Sequence, residues 1–107
     1  MSTFNHSEIY HLKTSVEYSP DSVVSKIVTK NESGNISLFS FDGGQSLSKH
    51  TAAFDAFVQV LEGKARVVIG DSDLDLGEGD SVIMPANVPH AIEAREKFKM
   101  LLVMIKG

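Results

Sequence analysis

The 107-residue sequence predicts an all-β fold, a sandwich or barrel with little helix. Three observations carry that expectation. Short runs rich in Val, Ile, Phe and Thr recur from Val23 onward, each bounded by turn chemistry from Gly, Asp, Asn, Ser or Pro. No stretch keeps a helical apolar period over three turns. Two runs, AFVQVL (56–61) and KMLLVMI (99–105), are apolar on both faces or nearly so, as strands covered on both sides are.

The opening MSTFNHSEIYHLK is of mixed polarity, with Ile9, Tyr10 and Leu12 as its apolar cluster and His6 and His11 beside them. It reads as an arm or short edge strand over residues 1–22, with a helical turn at most. Ser19-Pro20-Asp21-Ser22 closes the arm, because Pro fixes φ and Asp and Ser bond back to the local backbone. The barrel is expected over 23–107. VVSKIVTK is followed by the turn NESGN, ISLFSF by DGGQS, LSKHT by the link AAFD, and AFVQVLEG runs through Gly63 into KARVVIG. The acidic DSDLDLGEGD is expected as a turn, and SVIMPA, HAIEA and FKMLLVMIK complete the strands. A second sheet covers one face of the doubly apolar strands. The other face calls for a second copy of the chain, so a homodimer is expected.

Composition narrows the function classes. At this length one domain is expected, with one modest core. There is no cysteine, hence no disulfide framework, no thiolate nucleophile and no Cys-based metal site; any metal would be held by His, Asp, Glu or backbone oxygen. Fourteen acidic against ten basic residues give a net charge of −4. Nucleic acid is not an expected partner, since the cations are scattered apart from a loose cluster of Arg95, Lys97 and Lys99, read as a solvated turn and strand edge. No apolar run approaches the roughly 18 residues of a membrane span, and no secretory signal opens the chain, so a cytoplasmic protein without a membrane partner is expected.

Two segments carry the candidate chemistry. In MPANVPHAIEA, His90 follows two prolines and opens an alternating run; in LSKHT, His50 stands near the end of a strand. The stretch from Gly44 to Gly63, GQSLSKHTAAFDAFVQVLEG, resembles the first motif of the cupins, in which a glycine, two histidines, a glutamate and a closing glycine follow at set spacings. Gly79 to Ala94, GDSVIMPANVPHAIEA, is similar to the second, with its glycines, proline, histidine and final asparagine. The resemblance covers roughly a third of the chain. It implies a cupin-type double-stranded β-helix, a jelly-roll β-barrel. It also implies a divalent transition metal (Fe, Mn, Ni, Cu or Zn), held by three ligands from the first motif and one from the second.

The sequence departs from that ligand set. His50 and His90 match histidine positions, but Ala52 stands at the second histidine position and Ala56 at the glutamate position, seven residues before Gly63. Asn87 replaces a motif glycine, a mild change because Asn tolerates positive φ, and Ala94 replaces the final Asn. Asp55 is the nearby acidic candidate for a third metal ligand, although a strand in register would turn it away from His50. Two imidazoles alone make a weak metal site that an external ligand would have to complete.

The expected site is therefore a small, largely apolar pocket lined by His50, Ala52, Ala56, Val58, His90 and Ile92, with the two histidines as its polar end. They are also the candidates for acid–base catalysis, although no reaction is assigned. Tyr10 and Tyr18 both lie in the N-terminal segment, so a histidine base paired with a tyrosine acid is hard to assemble. Gln59, opposite in parity to Ala56 and Val58, is expected to point outward, and Met84, Met100 and Met104 to fill the core. The leading function is binding of a small organic ligand. Its competitors are a metal-dependent enzyme of dioxygenase or isomerase type, and a structural dimer that has lost its site.

Overall fold

A computed structural model describes residues 4–106. Nine strands make up nearly all its regular structure: β1 (Val23–Asn31), β2 (Gly34–Phe41), β3 (Ser46–His50), β4 (Asp55–Glu62), β5 (Ala65–Ile69), β6 (Ser72–Leu76), β7 (Ser81–Met84), β8 (His90–Glu93) and β9 (Phe98–Ile105). A single 3₁₀ turn, Leu12–Thr14, precedes them. The strands form two sheets, ordered β1-β2-β9-β4-β7 and β3-β8-β5-β6, with antiparallel neighbours throughout. The fold observed is all-β, as the short runs predict, and is the jelly roll that the cupin resemblance implies.

The acidic segment 71–80 is not simply a turn, because Ser72–Leu76 forms β6 at the edge of the smaller sheet. Its DSDLDL pattern alternates with the period of a strand. Leu76 is buried, while the Asp73 and Asp75 side chains stand outside. The Arg66 guanidinium on β5 bonds Asp73 and lies 3.8 Å from Glu93 on β8, so a charged row crosses three strands. An edge strand carrying carboxylates is also poorly suited to pairing with another chain.

Alternation along β4 and β9 sends Ala56, Val58 and Val60, with Phe98 and Met100, into the space between the sheets. There they meet Phe41, Val67, Met84 and Ile92, and the rings of Phe41 and Phe98 stack at 4.5 Å. Met104 packs against this core, so the three methionines are filler as expected. At the β4–β5 turn Gly63 has φ +79°, and a Cβ there would run into the Lys97 carbonyl oxygen. Only glycine fits that close approach.

The outer face of the larger sheet is covered in part by the chain's own arm. Val16 is fully buried. Around it, the Lys99 ammonium donates to the Lys13 carbonyl at 2.6 Å, Lys26 to the Ser15 carbonyl at 2.8 Å, and the Ser40 hydroxyl to the Glu17 carbonyl at 2.7 Å. The Tyr18 hydroxyl donates to Glu62 at 2.6 Å, and Lys97 and Lys99 lie over its ring. Lys99, expected on a solvated strand edge, is thus buried beneath the arm. Beyond the arm, the cross-strand row Ile36, Val103, Phe57 and Ile83 runs over β2, β9, β4 and β7. Along this row Ile83 is 60 % exposed.

Candidate functional site

β3 ends at His50 and β8 begins at His90, and the two residues face each other across the strand pair. The register shifts between Leu47 and His50, and this irregularity brings the last residue of β3 opposite the first of β8. Their rings meet edge to face, with centroids 4.4 Å apart and planes at 69°. His50 is exposed, while His90 keeps only 3 % of its surface.

Each ring is fixed by its own backbone. Nδ1 of His50 lies 2.7 Å from the Ser48 carbonyl oxygen, and Nδ1 of His90 lies 3.3 Å from that of Val88. A carbonyl oxygen only accepts, so in both rings Nδ1 carries the hydrogen and donates. In a neutral ring Nε2 is then left with a lone pair. Burial pushes the His90 imidazole below its ordinary pKa; the bond to Val88 partly opposes this and the nearby His50 adds to it. His90 is accordingly neutral at pH 7.

The two loops at this end of the barrel are tied together. Asn87, at φ +64°, donates its backbone N–H to the Ala52 carbonyl at 2.7 Å, and the Gly70 N–H donates to the Pro89 carbonyl at 2.8 Å. The substitution of Asn for the motif glycine is thus accommodated in the left-handed region that Asn tolerates. The Asp55 carboxylate accepts the Ala86 N–H at 2.8 Å, so this side chain caps the neighbouring loop. It does not join the histidines. Among the described residues no three His, Asp or Glu side chains gather into a metal-holding group.

The six expected lining residues separate into two sets. His50 and His90 meet at the surface end, with half-buried Ala52 on the link beyond β3, where strand alternation has already stopped. Ala56, Val58 and Ile92 lie deeper, within the closed apolar core. Gln59 is half-buried and pairs with Leu101 and Ser81, on the outward parity expected for it. Beside the tied loops, Ala53, Phe54, Asp55, Ala86 and Ile105 line an open groove of about 350 Å³. Most of its lining lies on links or strand ends, where no periodic signal marks a residue as lining.

A resident metal of the kind the motifs imply needs three or four protein donors, and this end supplies two imidazoles. The residues present do not fit it. What they form is a pair of imidazoles oriented by their backbone bonds next to apolar surface, an arrangement suited to hydrogen bonding.

Residues 37–106 match the family model described as a cupin domain. Among solved structures, a conserved protein of unknown function from Streptococcus pyogenes is 34% identical; the match covers 100% of this chain and 96% of that one, with a TM-score of 0.91. A cupin superfamily protein from Desulfitobacterium hafniense is 29% identical over 97% of this chain and 95% of that one, with a TM-score of 0.90. A cupin 2 conserved barrel domain protein from Leptotrichia buccalis is 38% identical over 85% of this chain and 44% of that one, with a TM-score of 0.82. No curated protein matches the chain.

Proposed function

The chain belongs to the cupin domain family, and on that premise we propose that it binds a small organic molecule at the barrel end where His50 and His90 meet. The observation that carries this reading is the pair itself. Two imidazoles stand in edge-to-face contact, each held by a backbone carbonyl two residues before it, and one ring is exposed while the other is nearly buried. Two histidines whose only role was to fill the core would not need one ring at the surface. The division into an arm before Val23 and a binding barrel from Val23 onward belongs to this reading.

The same reading includes a homodimer formed through the outer face of the larger sheet. The apolar row of Ile36, Val103, Phe57 and Ile83 supports it, because such a row on a sheet face favours burial against an identical surface.

A fragment screen followed by backbone NMR tests the binding site. Hits are expected to shift the amides of His50, Ala52 and His90, and to bind at least tenfold more weakly to His50→Ala and His90→Ala. Hits that map to other surfaces, or that bind both variants unchanged, would overturn the reading.

A further inference from the structure

Resting on the binding site just proposed, the hydrogen-bond valence of the two rings specifies the head group it takes. We infer that the site selects a neutral hydroxyl group, an alcohol or a phenol, and discriminates against carboxylates.

Donors and acceptors can be counted ring by ring. An imidazole has two ring nitrogens, and a neutral one carries a single hydrogen. In both His50 and His90 that hydrogen is committed at Nδ1, to the carbonyls of Ser48 and Val88. Each ring therefore offers a ligand only an acceptor. The backbone enforces this, because moving the hydrogen to Nε2 would set a lone pair of Nδ1 against a carbonyl oxygen, and turning the ring over would put a Cδ2–H there, so either change gives up the bond. Among the described residues no buried side-chain nitrogen or oxygen lacks a partner, so no buried side-chain donor is left over to offset the two acceptors.

Charge points the same way. The titratable neighbour that acts on His90 is His50, and no ammonium or guanidinium contributes there. The Asp55 carboxylate is engaged with the Ala86 N–H. An ionised carboxylate arriving at the pair would give up its water and meet two lone pairs. A hydroxyl instead donates its hydrogen to an Nε2 lone pair. A site built to pair with one kind of polar group rejects the analogue that leaves it unpaired.

Phenol and benzoate share a ring and differ in the head group, so they isolate this choice. The full chain, labelled with ¹⁵N, is titrated with each at about pH 8, where imidazoles are neutral and benzoate is ionised, and followed by long-range imidazole spectra. The free protein is expected to show the Nδ1–H tautomer for both histidines. Phenol should move the Nε2 resonances and leave Nδ1 in place, with affinity at least tenfold above that of benzoate. His50→Phe, an exposed position where the ring shape is kept and the lone pair removed, should lower phenol affinity severalfold without unfolding the chain.

An Nε2–H tautomer, equal or tighter binding of benzoate at the pair, or no response to phenol would overturn the inference. So would zinc(II) taken up at micromolar concentration with both Nε2 resonances displaced. Anionic fragments bound at His50 and His90 would overturn the hydroxyl preference alone, whereas fragments bound only elsewhere would overturn the site itself.

Discussion

The near-complete burial of His90 ties the stability of the fold to pH, and the sign follows from the direction of its shift. Burial holds its folded pKa below the ordinary 6.5, which is the value it regains when the chain unfolds. Between the folded value and 6.5 the unfolded chain binds more protons at this site, so stability rises with pH through that window. The contribution is fully present above 6.5 and is lost as pH falls through the folded value. Urea melts at about pH 7.5 and about pH 5.5 are expected to show a larger fall in midpoint for the wild type than for His90→Phe, which has no proton to gain. An equal fall in both would mean that other groups carry the acid sensitivity. The two histidines are legible in the sequence as candidates because both fall on motif positions. The role of Asp55 is legible only in part. Its parity turns it away from His50, but its partner, the Ala86 N–H, belongs to a loop whose path no local pattern specifies. The register shift before His50 is likewise hidden, because it depends on how β3 meets β8, a strand far along the chain.

Among the elements, the arm is the one whose role only the structure reveals. Val16 sits in a polar stretch, TSVEYS, with nothing in its neighbours to mark it as core. Yet it is fully buried against the larger sheet, held by lysine and serine side chains that donate to the arm's carbonyls. Those bonds join residues far apart in the chain, which is why Lys99 reads as surface when taken with Arg95 and Lys97. The strands are easier, since period-2 alternation and turn residues are local signals; β6 is hard to see because the turn-forming tendency of its Asp and Gly residues masks the alternation of DSDLDL. Val16→Ala should cost about 2 kcal/mol, from lost burial and the space left behind. The arm meets Glu62 and Lys99, near the ends of β4 and β9 away from the histidine pair. Hydrogen exchange is therefore expected to speed up over residues 12–18 in Val16→Ala, while the imidazole spectrum of His50 and His90 stays as in the wild type. Uniform loss of protection across all strands would show instead that the arm and the barrel open as one unit.

At the scale of the whole molecule, the two sheets divide the work. The histidine pair sits on the smaller sheet, where β3 meets β8, and the arm and the apolar row lie on the outer face of the larger one. That separation lets association and ligand binding be tested independently. The sequence points to a second copy of the chain because β4 and β9 are apolar on both faces. The arm takes up the end of that face near Ser40 and Lys99, leaving the row from Ile36 to Ile83 and the neighbouring Ile105, which is 63 % exposed. Two copies packed through this row in two-fold fashion would bury it against itself, and a charge introduced there would be desolvated without a partner. Sedimentation velocity at micromolar concentration is expected to show a dimer for the wild type. Ile83→Lys should weaken that dimer at least tenfold, and because the position is exposed the barrel should still fold. Phenol should shift the His50 and His90 resonances of this variant as it does those of the wild type. A monodisperse wild-type monomer would remove the proposed interface, and an unaltered dimer in the variant would move it to another face. Loss of the phenol response in a folded monomeric variant would show that the two sheets are coupled, with the dimer shaping the end of the barrel that the histidines occupy.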